Sequence, residues 1–311
     1  MLPAFSATVL FSLSVVFAAR ATQRLGGIAA NFYRLCVAAV VLAFWAHASG
    51  EGLGGGAFWL FFLSGLIGFG IGDVALYQAL PRLGPRLTIL LVHCLAAPFA
   101  ALAEWTWLGS QLTATQILSG LTILMGVAVA LAPPAHLHLT PKVLAAGIVF
   151  GLVAALGQGM GAVVSRKAYS VAKAAGHDSA AFTFGLTAAY QRVLGGLTFS
   201  FLPSLAVIRR ARLKGNASLP DETAKAHRLG KGIPVWIWVL LNALAGPTLG
   251  VACYQWALAT TPSGVVLAIV AVTPIVVIPF AYLFEGDRPG HWSLLGGVLA
   301  VAGAVALARA R

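Results

Sequence analysis

Charge is what this chain has least of. Only 9% of its 311 residues are Asp, Glu, Lys or Arg, where a soluble domain carries about 25%. A chain so poor in charge cannot cover a water-facing surface with polar groups. With 59% hydrophobic residues and a mean hydropathy of +0.91, lipid is the solvent that fits it. Cysteine is scarce as well. Cys36, Cys94 and Cys253 are odd in number and each lies in an apolar run, which excludes a disulfide framework and any zinc-ligand spacing. Segments of alternating apolar and polar residues are missing, which argues against a membrane β-barrel. The H-E-x-x-H, G-x-S-x-G and Walker A patterns are absent too. Gly157-Gln158-Gly159-Met160-Gly161 is glycine-rich, but it sits inside an apolar run and comes after no strand. No cofactor, metal or ATP-driven step is expected, and the chain does not read as an enzyme.

Acidic residues are few: 8 against 20 Lys and Arg, a formal net charge of +12. Seven of the basic residues (Arg209, Arg210, Arg212, Lys214, Lys225, Arg228 and Lys231) fall in one polar stretch, about 205–233. A basic loop between membrane spans faces anionic headgroups, so lipid rather than nucleic acid is the expected partner. Asn216-Ala217-Ser218 in that loop matches a glycosylation sequon by pattern only. The N-terminus lacks a basic n-region and reads as a first span, not as a removed signal peptide.

What is present is apolar length. A helix needs about 20 mostly apolar residues to cross the hydrocarbon core. Ten runs qualify, roughly 3–19, 28–46, 58–80, 85–103, 114–132, 142–164, 179–202, 234–257, 263–284 and 291–308. Residues 133–141, with two prolines, two histidines and the helix-restarting Pro141, form a linker between a first half, 1–132, and a second, 142–311.

The halves match in order. Span four ends Pro98-Phe99-Ala100-Ala101-Leu102-Ala103-Glu104 and span nine ends Pro279-Phe280-Ala281-Tyr282-Leu283-Phe284-Glu285. Ser64, Gly68 and Gly72 of span three repeat as Asn242, Gly246 and Gly250 of span eight. Arg34-Leu35 and Arg192-Val193 occupy matching places in spans two and seven, and Gly120/Gly126 match Gly297/Gly303. Five spans per half is an odd number, so the halves enter the membrane in opposite directions. The expected fold is an all-α integral membrane protein of ten transmembrane helices in two inverted five-helix repeats. Such repeats place a substrate site near the midplane between halves.

Two five-helix halves, an Arg early in the second helix of each and a P-F-A-x-L-x-E ending before a G-x5-G helix resemble the EamA-type branch of the drug/metabolite transporter superfamily. The resemblance spans roughly 4–132 and 142–309. It implies a secondary transporter of a small metabolite (an amino acid, organic acid or drug-like solute) working by alternating access in the plasma membrane, with the oligomeric state left open and a monomer compatible. One departure is Phe11-Ser12, where that family often has a Trp in its first helix. A membrane enzyme on a lipid-linked substrate and a structural or sensory membrane protein remain alternatives; the former would have only Glu104 and Glu285 at the interface.

Ionisable residues within spans are costly, which makes them candidates for function or for pairing. Asp73 in span three and Arg34 in span two lie at similar depth from the same side, about 10 Å in at 1.5 Å per residue. They form a candidate ion pair or proton-coupling site, with His93 of span four as a further candidate for proton exchange. Val251 stands where a second Asp would be, and no acidic residue in spans six to eight offers Arg192 a partner. Arg192 either snorkels to the interface or binds backbone carbonyls, or it faces the cavity and meets a carboxylate or phosphate on the solute. Asn242, Tyr254, Gln158 and Gln78 are candidate substrate-binding residues. Gly68, Gly72, Gly246, Gly250, Pro98 and Pro279 are candidates for close helix packing or hinges.

Overall fold

The computed structural model describes residues 2–108, 113–131, 139–213, 233–261, 263–285 and 290–309. Among these residues the chain is helical and contains no strand. Twelve α segments run in order: α1 Leu2–Leu25, α2 Gly27–Ser49, α3 Phe58–Gly65, α4 Asp73–Leu108, α5 Ala114–Leu131, α6 Pro141–Ala174, α7 Phe182–Leu213, α8 Val235–Ala243, α9 Val251–Thr260, α10 Ser263–Val270, α11 Thr273–Glu285 and α12 His291–Arg309. Two π-helical segments complete the set, π1 Leu66–Gly72 between α3 and α4 and π2 Leu244–Gly250 between α8 and α9. Among the described residues five stretches are long and apolar enough to cross a membrane: Leu2–Leu25, Gly27–Ser49, Phe58–Ala103, Pro141–Ala174 and Val235–Thr260. Large apolar side chains such as Val40, Phe44, Leu202 and Leu283 point outward, as a lipid-facing surface requires. Most of the basic loop, with Lys214, Lys225, Arg228, Lys231 and the Asn216 sequon, lies outside the described residues, as does linker segment 133–138.

The apolar runs predict uniform α-helices, and the structure departs from that in four places. Spans three and eight widen into the π segments LIGFGIG and LAGPTLG. Glycines, and Pro247 with its missing N–H, weaken the regular α ladder there, and π turns concentrate at functional sites. Spans three and four are joined through Gly84, whose φ of 74° is open to glycine and strained for other residues. Span nine is divided into α10 and α11 just before Pro274. Pro98 and Pro279, the proline hinge candidates, sit in α4 and α11 without ending either helix.

Small residues set the packing. The stripe Ser64, Gly68, Gly72 on α3 and π1 meets the stripe Ser165, Gly161, Gly157 on α6, running the other way. The Ser64 hydroxyl lies 2.8 Å from the Ser165 hydroxyl and donates to the Gly161 carbonyl at 2.7 Å. A Cβ on Gly157 would come within 2.7 Å of the Gly72 Cα and 3.0 Å of the Gly72 nitrogen. Such an approach lets backbone pack on backbone where lipid offers no hydrophobic drive between helices. On the other side of the molecule, Gly246 lies against Ser14, and a Cβ on Gly250 would meet the Phe11 ring at 2.9 Å. Helix partners show the same crossing pattern. α1 packs on α8, π2 and α11, and α6 packs on α3, π1 and α4, while α2 lies on α7 and α5 on α12.

This packing predicts unequal glycine substitutions. Gly157→Ala should destabilise the protein by about 1–3 kcal/mol or more, since backbone cannot give way as a side chain can. Gly120 in α5 has open space where a Cβ would go, so Gly120→Ala should be neutral or stabilising by up to about 1 kcal/mol. Thermal unfolding of both variants in detergent checks the contrast. Equal effects would contradict the backbone contact.

Candidate functional site

Both π segments border a cavity in the middle of the helix bundle. Its wall takes Phe11 and Ser14 from α1, Arg34 from α2, Asp73, Tyr77 and His93 from α4, Gln158 from α6, Arg192 from α7 and Tyr254 from α9. The centre of a water-sized molecule can range over about 80 Å³ of it, room for several waters or part of a small solute.

One side of the wall is a closed polar network. Arg34 and Asp73 form a buried ion pair. The other Asp73 oxygen accepts from Gln158 Nε2 at 3.0 Å. Arg34 Nε donates to Asn31 Oδ1 at 3.0 Å, and its guanidinium lies 4.8 Å from the centre of the Tyr77 ring. Asn242 donates to the Tyr77 hydroxyl, while its Oδ1 accepts from the Ser14 hydroxyl at 2.7 Å. The network thereby ties α1, α2, α4, α6 and α8 together, and every carboxylate oxygen in it is engaged. A buried pair satisfied this way survives the cost of desolvation; half of it alone would not.

Arg192 is held differently. It is 2% exposed, lies 5.1 Å from the centre of the Phe69 ring, and its Nε and Nη1 have no hydrogen-bond partner. Glycine makes the space it occupies: a Cβ on Gly68 would come within 2.9 Å of Arg192 Nη2. Arg34 has the same relation to π2, its Nη1 3.3 Å from where a Cβ of Gly246 would be. Each arginine therefore crosses over the first glycine of the π segment belonging to the other half of the chain. The two π segments differ in the residue that comes directly after them, Asp73 after π1 and Val251 after π2. His93 also stands partly free, with Nδ1 lacking a partner and the Phe11 ring edge-on at 5.9 Å.

The structure brings Arg192, Arg34, Asp73, His93, Gln158, Tyr254 and Gly246 to one cavity. Asn242 and Gln78, both expected on its wall, are elsewhere. Asn242 is fully buried behind Ser14 and Tyr77, which use both ends of its amide. Gln78 points away and accepts from Arg82 at 3.3 Å. Gly68, Gly72 and Gly250 serve helix contacts. Phe11, noted in the sequence as a departure from the family pattern, is on the wall, and Ser14, Phe69 and Tyr77 are wall residues that the sequence did not single out. Helical spacing could have found two of them, since Phe69 and Tyr77 lie one turn either side of Asp73.

Removing one member of the ion pair should cost about 3–5 kcal/mol, because the other is left buried and unpaired. Asp73→Asn and Arg34→Gln are each expected to lower thermal stability, and the double variant should recover about 0.5–3 kcal/mol relative to additivity. Strictly additive losses in a double-mutant cycle would show that the two do not couple.

Comparison with known proteins agrees with this architecture. A solved structure titled "Crystal structure of protein" superposes with a TM-score of 0.62 at 17% identity, over 98% of this chain and 94% of that one; at that identity the likeness is one of fold. None of the curated proteins matches. The EamA-like transporter family matches residues 1–132 and 145–309. With nearly the whole chain matched, this integral membrane protein belongs to the EamA-like transporter family.

Proposed function

We propose that the protein is a secondary transporter that binds a small carboxylate-bearing solute through Arg192 and moves it across the plasma membrane by alternating access. Arg192 carries the reading: a buried guanidinium on a cavity wall with two unpartnered N–H groups. A planar guanidinium donates two parallel hydrogen bonds to a carboxylate, which a lysine cannot reproduce. Asp73 is the less suited proton carrier, because both of its oxygens already hold Arg34 and Gln158. It serves in this reading as the anchor of the wall.

Ten spans in two inverted halves, about 1–132 and 142–311, give the transport cycle its symmetry. The reciprocal packing of α1 and α6, and the crossing of each arginine over the opposite π segment, support that arrangement. Rocking of one half against the other would alternate access. In the described conformation the end near residues 50–57 is pinned. Gln191 Nε2 donates to the Gly52 and Gly54 carbonyls at 3.0 and 2.9 Å. The Glu51 nitrogen donates to Thr187 at 2.9 Å, and Phe61, Tyr169 and Phe184 pack beneath. These contacts would part when that side opens. The partners in this reading are the solute and bilayer lipid, with no role for nucleic acid.

Uptake of labelled carboxylates into proteoliposomes tests the assignment. Arg192→Lys should fold and retain a small part of the uptake, and Arg192→Ala should lose most of it, a drop of about 10- to 150-fold for a charged hydrogen bond worth about 1.5–3 kcal/mol. Wild-type uptake by a well-folded Arg192→Ala protein would refute the role.

A further inference from the structure

We propose that the cavity selects a monoanion, a solute with one carboxylate, an apolar body and no amino group. This rests on the carboxylate reading of Arg192 and narrows it.

Charge balance is the first ground. Among the described residues the charged side chains on the wall are Arg34, Arg192 and Asp73, so two cations face one anion and one positive charge is in excess. A buried net charge is expensive to keep from water. A single carboxylate cancels it. A zwitterion leaves the excess as it was, and a dianion replaces it with a negative one.

The second ground is the lack of a place for an ammonium group. An ammonium has three donors and a compact charge, and in a buried site it calls for a carboxylate. The one carboxylate on the wall gives one oxygen to Arg34 and the other to Gln158 Nε2. The Tyr77 hydroxyl already accepts from Asn242. His93 Nδ1 is unpartnered, but it offers one neutral lone pair, which suits a hydroxyl or a ring N–H on the solute. An ammonium there would share the cavity with two guanidinium groups and have no counter-charge of its own.

The third ground is the rest of the wall. Val15, Ala18, Ile89, Leu267 and Val270 are apolar, and the Phe11 ring spans from His93 to Tyr254 at 5.9 and 6.0 Å. Such a surface fits a hydrocarbon or aromatic body and leaves the polar recognition to Arg192.

Matched pairs that differ only in the amino group make the test. Binding to the full-length protein in nanodiscs is measured for propionate and alanine, 4-methylvalerate and leucine, and 3-phenylpropionate and phenylalanine. In the size class that binds best, the acid without the amino group should bind at least tenfold more tightly, and Arg192→Ala should abolish the binding. Equal or tighter binding of the amino acid overturns the monoanion proposal. If that binding still depends on Arg192, the carboxylate reading survives. Binding of either member of a pair that persists unchanged in Arg192→Ala overturns both, and so does failure of all six to bind.

Discussion

The structure turns on a guanidinium laid over a glycine. In the low-dielectric centre of a helix bundle an arginine needs room, and it needs something to offset its charge. Gly68 and Gly246 give the room, each the third residue of a π segment, where a Cβ would stand 2.9 and 3.3 Å from the guanidinium crossing it. Close packing of α6 on π1 through Gly157 and Gly161, and of α1 on π2 through Ser14 and Phe11, fixes those segments in place. The helix packing and the binding cavity are therefore one problem. The small residues that let the helices touch also let the cations in.

The two arginines then part ways through a single residue. The position after π1 is Asp73, and the position after π2 is Val251. Asp73 neutralises Arg34, which is further held by Asn31 and the Tyr77 ring. Arg192 has the Phe69 face and, among the described residues, no carboxylate of its own. Two halves of similar sequence thus produce an unequal wall, one side closed by internal bonds and the other with donors to spare. A transporter needs that inequality, since a site whose every group is satisfied internally gains little by binding a solute.

Much of this was legible in the chain. Apolar length gave the membrane helices, and the spacing of Ser64, Gly68 and Gly72 marked a face that does meet a neighbour, the stripe Gly157, Gly161 and Ser165. Matched depth in spans two and three pointed to the Arg34–Asp73 pair that the structure contains. The change from α to π geometry at Leu66–Gly72 and Leu244–Gly250 was not legible, because glycine content permits it without dictating it. Nor was the withdrawal of Asn242 from the wall. A polar residue within a span is equally suited to a solute or to a neighbour, and only the folded arrangement puts Ser14 and Tyr77 at its two ends. Whether Arg192 reached the interface or the cavity was likewise a question of helix rotation, which one-dimensional spacing leaves open.

The central claim is that Arg192 is the group the solute's carboxylate touches. Solid-state NMR can see that contact directly, through dipolar recoupling between guanidino-¹⁵N arginine in the protein and a ¹³C-carboxylate acid bound in a bilayer. A guanidinium–carboxylate pair at hydrogen-bonding distance, about 2.7–2.9 Å between N and O, gives strong dephasing that disappears when Arg192 is replaced by Lys. Dephasing that is absent in the wild-type protein, or that survives the replacement, would contradict the account.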